Sequence, residues 1–238
     1  MLNNALVSHK YEFVLFWNGK CACTTMKKFF IKSIDDQYGY ELKEKDLHTY
    51  IMKYYLNKET DEKKKDILSR YVKAIVVRNP FTRLVSFYTN KFIVNNEPVI
   101  VDKRKPGLNP KKYTFGELVN IILETPPLCL EHHVSHQSLQ LDGIDFDYIM
   151  KMESLSDDIV GFLDKIKLKT DFDFTVKVGG HDTHYNNTAI QCDDVKSSEF
   201  NKTSIPKPEF FYNDNMMKKV YNYYKNDFDR FGYSYDIY

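Results

Sequence analysis

Arg78 occupies a position in the sequence that suggests anion chemistry. Residues 74–77 form a short apolar run, partly β-branched, which predicts a buried strand directly before Arg78. Asn79 and Pro80 are residue types that begin helices. Apolar residues then recur at helical spacing: Phe81, Leu84, Val85 and Tyr88. Arg78 is therefore predicted at the carboxyl end of a strand and at the start of a helix, and both positions favour an anion.

A second strand–loop–helix unit is predicted close to the N-terminus. Phe13–Trp17 has the character of a strand, Lys20 lies in the following loop, and Thr24 and Thr25 begin the next helical pattern. Loop N–H groups, two hydroxyls and a cation would converge there on a phosphate. The G-x-x-x-x-G-K-[ST] spacing is absent, because Lys20 precedes the threonine pair by four residues. A Walker-type ATPase is therefore excluded by the sequence.

Together the two segments resemble the phosphosulfate-binding elements of sulfotransferase family 2, the Golgi-type carbohydrate sulfotransferases and their bacterial relatives. The matches to the family loop P-K-x-G-C-T-S-x-K are Lys20, Cys23, Thr24 and Lys27, with Gly19, Ala22 and Thr25 replacing its proline, glycine and serine. The matches to R-x-P-F-x-R-L-V-S-x-[FY]-x-x-K-F are Arg78, Pro80, Phe81, Arg83, Leu84, Val85, Ser86, Tyr88, Lys91 and Phe92. Residues 146–155 and 221–233 resemble two further family segments, so the resemblance covers most of the chain.

The resemblance implies transfer of a sulfonyl group from PAPS (3′-phosphoadenosine 5′-phosphosulfate) to a hydroxyl of a carbohydrate, either a glycan or a polysaccharide. Lys20 would be catalytic, stabilising charge on the leaving phosphate oxygen. The 5′-phosphate would be held by loop N–H groups and by Lys20, Ala22, Cys23, Thr24 and Thr25. Arg78 and Ser86 would bind the 3′-phosphate. PAPS would be a co-substrate, and we predict no metal requirement.

The acceptor hydroxyl needs a general base, and we predict His133. The residues 133–137 resemble the H-W-x-P-Q segment of the family with its tryptophan and proline replaced. His132, His48 and Glu131 are alternatives, and these histidines could instead only form hydrogen bonds with the core or the acceptor. A zinc site of His132, His133 and His136 is less favoured, because no H-E-x-x-H motif occurs.

The order of the elements predicts an α/β fold: a single P-loop-like catalytic domain over residues 1–238, with a mostly parallel central sheet flanked by helices. Ligands of such sheets bind beyond the carboxyl ends of the strands. Helices are predicted over 42–71, 80–92 and 217–228, a third strand over 148–152, and a capping box at Thr114 and Glu117.

The run 103–112 is a basic loop that could guide an anionic polysaccharide, and residues 177–188 could cover the nucleotide.

The composition sets limits on partners and location. The net charge of +1 neither favours nor excludes nucleic acid, and we predict no nucleic-acid partner. No apolar run reaches the length of a membrane-spanning helix and no signal peptide is visible, so we predict no membrane segment and a cytoplasmic, bacterial-type protein. The Golgi lumen is the alternative if an anchor has been removed. The four cysteines predict reduced thiols.

Two other functions compete with the transferase: a nucleotide kinase with a P-loop-like site, and a non-catalytic homologue that binds a glycan or a protein. The identity of the acceptor, the position that is sulfated and the oligomeric state stay open.

Overall fold

The computed structural model describes residues 4–34, 44–54, 60–95, 97–141, 143–175, 184–186 and 190–237. They fall into two compact units. The first, here called the sheet unit, comprises Met1–Arg78 and Gln140–Val176. The second, the helical unit, comprises Asn79–Leu139 and Lys177–Tyr238.

Strands and helices are interspersed along the first half of the chain. The strands are β1 (Ala5–Ser8), β2 (Phe13–Trp17), β3 (Val72–Val77), β4 (Tyr148–Lys151), β5 (His184–Asn186) and β6 (Ser204–Pro206). The helices are α1 (Cys23–Ile34), α2 (Glu44–Tyr54), α3 (Asp61–Arg70), α4 (Pro80–Tyr88), α5 (Phe115–Glu124), α6 (Leu155–Lys165), α7 (Asp214–Tyr223) and α8 (Lys225–Phe231).

The sheet unit is built on four strands in the order β1-β2-β3-β4. Strand β1 is antiparallel to β2, whereas β2, β3 and β4 run parallel. The α/β class with a mostly parallel sheet is therefore confirmed. Trp17 lies opposite Val76, and Val77 lies opposite Lys151. The carboxyl ends of three strands therefore meet at one edge of the sheet, where the predicted anion loops begin.

Helices α1 and α6 contribute to the core of the sheet unit. Phe13 of β2 packs edge-on against Phe30 of α1 and Phe162 of α6, with ring centroids 6.0 and 5.3 Å apart. All five residues of β2 are buried, which explains why this strand reads as a continuous apolar run rather than an alternating one.

The helical unit has its own aromatic core around α4. Phe81, Phe87 and Tyr88 are fully buried, and Phe81 packs on Phe228 at 5.1 Å between ring centroids. Helix α4 begins as predicted, because the side chain of Asn79 accepts a hydrogen bond from the Phe81 N–H at 2.9 Å. It continues into a π-helical segment, Thr89–Asn95. The capping box at Thr114 and Glu117 is also confirmed.

Two predicted helices are interrupted. The one predicted over 42–71 is wrong as a single helix, because Thr60 has an extended backbone and its side chain accepts from the Lys63 N–H, which starts α3 anew. Residues 55–59 lie outside the described residues. The helix predicted over 217–228 is divided at Tyr224 into α7 and α8, and Gly232 ends α8 in the left-handed conformation.

Candidate functional site

The loop between β2 and α1 has an unusual backbone. Lys20 and Ala22 have φ values of +66° and +51°, a left-handed conformation that costs a residue with a side chain about 1–2 kcal/mol. The Cys21 N–H donates to the Asn18 carbonyl at 3.3 Å and closes a tight turn. Left-handed residues in such turns direct peptide N–H groups into concave anion sites. The structure therefore places strain where the sequence predicts a phosphate.

Arg78 is joined to this loop. Its guanidinium donates from Nη1 to the Lys20 carbonyl at 3.2 Å, and the residue is only 7% exposed. This contact is possible because β2 and β3 are neighbouring parallel strands whose carboxyl ends share one edge. The structure thus brings the Arg78 guanidinium to the backbone of Lys20, a residue that the sequence assigned to a separate motif.

Helix α1 begins without a side-chain cap from the preceding residue. The Ala22 carbonyl accepts from the Met26 N–H at 3.0 Å, which places Ala22 at the N-cap, where alanine offers no acceptor to the first-turn N–H groups. No acidic residue lies in the first turn of this twelve-residue helix. Cys23, Thr24 and Thr25 are half-buried there. No acidic side chain of its own first turn therefore neutralises the positive end of this helix.

His48, an alternative base, is bound to Lys27. The Lys27 ammonium lies 2.8 Å from His48 Nδ1 and 4.5 Å from the centre of the Trp17 ring, and Lys27 is buried. An ammonium can only donate, so His48 Nδ1 must be the acceptor. This nitrogen is therefore occupied in holding Lys27 on the aromatic ring, which does not favour His48 as the base.

In the helical unit, Arg83 holds the turn that carries the histidines. Its Nη1 donates to the Ser135 carbonyl at 2.7 Å and its Nη2 to the His132 carbonyl at 3.1 Å. Arg83 is 1% exposed, so these bonds lie in the core, where a charged donor contributes most. Arg83 therefore positions the backbone of the histidine turn.

Asp227 holds the other end of the same segment. Its carboxylate accepts from the Gln137 N–H at 2.8 Å, the Ser138 N–H at 2.9 Å and the Ser138 hydroxyl at 2.7 Å. The side chain is completely buried. A charged acceptor thus satisfies three donors that would otherwise lie unpaired in the core.

Glu131, His132 and His133 form the polar cluster of this turn. His133 Nδ1 lies 2.9 and 3.0 Å from the two Glu131 oxygens, and His132 Nδ1 contacts Oε1. The His133 ring also stacks on Phe87. Burial would raise the pKa of the Glu131 carboxyl, but its hydrogen bonds to the two histidines outweigh burial and hold that pKa below its usual range. An ionised glutamate can only accept, so Nδ1 of His133 carries a proton. In the neutral form of the ring the lone pair is then on Nε2.

His136 lies apart from this cluster. Its ring is buried between Tyr223 and Tyr224, at 5.0 and 4.8 Å between ring centroids, and burial lowers its pKa. Its Nε2 has no hydrogen-bond partner among the described residues. The zinc set of three histidines is therefore not assembled, since Glu131 takes the place assigned to His136.

Ser86 is half-buried on α4, and its carbonyl accepts from the Thr89 hydroxyl at 3.3 Å. Its shared contact with Arg78 on one phosphate stays a prediction. Of the segment 177–188, only 184–186 lie within the described residues.

One residue and one contact of these sites were not recognised in the sequence. Asp227 belongs to the closing segment 221–233, where the match to the family was the only signal. The hydrogen bond between Glu131 and His133 was signalled only by their closeness in the sequence, two positions apart, where Glu131 is predicted as an alternative base.

Comparison with known proteins decides the family. The sequence model of the sulfotransferase family matches residues 3–234. The chain belongs to the sulfotransferase family. Carbohydrate sulfotransferase 12 of Xenopus laevis is 23% identical over 271 aligned positions, which cover 98% of this chain and 60% of that protein. The chain therefore spans about 60% of the length of the curated relative that it matches. No solved structure matches the chain significantly.

Membership of the sulfotransferase family agrees with the resemblance drawn from Lys20 and Arg78. The family match also takes in both compact units, since it runs from the first strand to the end of α8. Among the described residues, no helix combines the length and the apolar character needed to cross a bilayer.

Proposed function

We propose that this sulfotransferase-family chain transfers the sulfonyl group of PAPS to a carbohydrate hydroxyl. The hydrogen bond from Arg78 to the Lys20 carbonyl is the observation that carries the proposal, because it joins the two predicted phosphate elements at one edge of the sheet. The name of the Xenopus relative supports a carbohydrate acceptor. Residues 1–238 are proposed to act as one catalytic domain.

In the proposed reaction the acceptor oxygen forms a bond to sulfur as the bond from sulfur to the phosphate oxygen breaks. The Lys20 ammonium stabilises the charge that grows on the leaving phosphate. The 5′-phosphate is held by the loop N–H groups and by the first turn of α1, with Ala22, Cys23, Thr24 and Thr25. Arg78 and Ser86 bind the 3′-phosphate.

The proton of the acceptor hydroxyl passes to Nε2 of His133. Glu131 supports this role because it binds Nδ1–H, which orients the ring and stabilises the imidazolium that forms. The reaction as proposed needs no metal, and the products are a sulfated carbohydrate and adenosine 3′,5′-bisphosphate.

The direct test is calorimetric titration with adenosine 3′,5′-bisphosphate, followed by transfer assays with labelled PAPS and a panel of neutral and anionic glycans. Saturable binding and a labelled glycan support the proposal. A folded protein that does not bind the bisphosphate contradicts it, and phosphorylation from ATP without use of PAPS would identify a kinase instead.

We expect Arg78→Ala to weaken binding of adenosine 3′,5′-bisphosphate by about tenfold or more. A hydrogen bond to a charged group contributes about 1.5–3 kcal/mol, and about 1.4 kcal/mol is a factor of ten. Adenosine 5′-phosphate, which lacks the 3′-phosphate, is the control ligand in the same calorimetric titration. If Arg78 binds the 3′-phosphate, the loss is confined to the bisphosphate. An equal loss for both nucleotides would show that Arg78 acts only by holding the Lys20 peptide, and an unchanged affinity for the bisphosphate would contradict both roles.

Lys20→Gly and Lys20→Ala are expected to abolish the contribution of the ammonium equally, with transfer lowered by about 10²–10³-fold. They should differ in stability, because only glycine accepts a φ of +66° without strain. We expect Lys20→Gly to be more stable than Lys20→Ala by about 0.5–1 kcal/mol in urea unfolding, because the strain of about 1–2 kcal/mol is partly offset by the greater freedom of glycine in the unfolded chain. Equal stabilities would show that the backbone of Lys20 is not strained, and undiminished transfer would remove Lys20 from the mechanism.

A further inference from the structure

The turn over residues 131–133 gathers three side chains of types that bind metal ions. One ligand atom from each of Glu131, His132 and His133 lies within 4.8 Å of the other two. Both imidazoles direct Nδ1 towards the same carboxylate, His133 at 2.9 Å from Oε1. Imidazole nitrogen with carboxylate oxygen suits zinc and its neighbours in the first transition row. Calcium and magnesium prefer oxygen ligands alone.

The spacing of these atoms fits one ion. Zinc binds nitrogen and oxygen at about 2.0–2.2 Å, so two ligands of a tetrahedral ion lie about 3.4 Å apart. The three atoms therefore need only small side-chain rotations to surround an ion. The His132 side chain is 56% exposed, which provides a route from solvent and leaves a fourth position for water.

The backbone beneath these ligands is already held in place. The Glu131 N–H donates to the Val101 carbonyl at 2.9 Å, and the Glu131 carbonyl accepts from the Ser135 N–H at 2.8 Å. Arg83 fixes the His132 carbonyl. A preorganised ligand turn lowers the entropic cost of binding, as the outer contacts of metal sites commonly do.

We propose that Glu131, His132 and His133 form a binding site for a divalent transition-metal ion of the zinc class. The ion replaces the Nδ1 protons that face Glu131 in the metal-free protein. Each neutral imidazole keeps its single proton, which moves to Nε2, so the ligands bind through Nδ1 and the carboxylate.

The site would act as an inhibitory switch, a consequence that rests on the proposed function. The base role of His133 requires a lone pair on Nε2, and a metal on Nδ1 places a proton there. Bound metal and base catalysis therefore exclude each other at the same ring. Inhibition should not be relieved by added PAPS, since none of these ligands belongs to the proposed PAPS elements.

Metal binding is tested without turnover, by calorimetry with ZnCl2 and by visible absorption with Co2+ on the whole chain. We expect one equivalent to bind, and His132→Asn and Glu131→Gln each to weaken binding at least tenfold. His9→Asn is the matched control for a histidine outside the site, and Cys129→Ser tests whether a nearby thiolate is the real ligand. Circular dichroism checks that each variant is folded.

The absence of saturable zinc binding, or binding that is unchanged in a double variant His132→Asn/His133→Asn, would overturn the site. So would loss of binding in Cys129→Ser alone. A protein that binds zinc at this turn but transfers nothing from PAPS would retain the metal site and refute the proposed function. Transfer that continues at full rate with saturating zinc would refute the switch.

Discussion

Replacing His133 by asparagine is expected to lower the rate of sulfonyl transfer by about 10²–10⁴-fold, the usual contribution of a general base. Asparagine keeps a polar side chain of similar size but cannot take the acceptor proton. The loss should appear in kcat, while the affinity for adenosine 3′,5′-bisphosphate measured by calorimetry stays unchanged. The assay is transfer of label from PAPS to the best glycan found in the acceptor panel.

Substitution of Glu131, the hydrogen-bond partner of His133, provides a comparison for the His133 variant. Glu131→Gln keeps the shape of the side chain but removes the charge that stabilises the imidazolium and fixes the tautomer, so we expect kcat to fall here too, with KM little changed. His132→Asn tests the neighbouring ring. Full activity in the His133 variant, together with a large loss in the His132 variant, would transfer the base role to His132. Full activity in all three variants would remove the cluster from the mechanism.

Replacing Asp227 by alanine is expected to destabilise the protein by about 3–5 kcal/mol, a large part of the total stability of about 5–15 kcal/mol of a typical domain. The carboxylate is fully buried and accepts three hydrogen bonds from Gln137 and Ser138. Alanine leaves two backbone N–H groups buried without an acceptor, and each costs about 1–3 kcal/mol. Urea unfolding followed by near-ultraviolet circular dichroism measures the loss.

Asp229 offers a matched control on the same helix. Its carboxylate is 57% exposed and pairs with Lys225 at 2.9 Å, a surface ion pair that contributes about 0–1 kcal/mol. Asp229→Ala should therefore unfold near the wild-type midpoint. Asp227→Asn should lower the stability about as much as the alanine variant does. An amide group has only one oxygen to accept hydrogen bonds from the three donors, and its NH2 group would face a donor. If Asp227→Ala and Asp229→Ala were equally stable, the three buried hydrogen bonds would not hold the turn.

Much of the fold follows from local patterns. The N-cap at Asn79, the capping box at Thr114 and Glu117, and the apolar stripe of α4 are signals carried within a few residues, and the structure confirms all three. The prediction of a single helix over 42–71 was wrong because a local signal within this range also decides the structure. Thr60 carries an N-cap signal followed by acidic residues, and this local signal outweighs the helical tendency on either side of it.

The sequence by itself determined the class of the fold, the family, and the two loops in which Lys20 and Arg78 lie, because strand runs, caps and motif spacings are short-range features. Only the tertiary structure decided that Arg78 binds the Lys20 carbonyl, 58 residues away along the chain. It also decided that Arg83 binds the backbone of the histidine turn. Asp227 binds the Gln137 N–H at the end of this turn, from 90 residues away. The tertiary structure also separated His136, buried among tyrosines, from the cluster of Glu131, His132 and His133. These are directional contacts between groups distant in sequence, and their geometry depends on strand order and core packing, which no local spacing encodes.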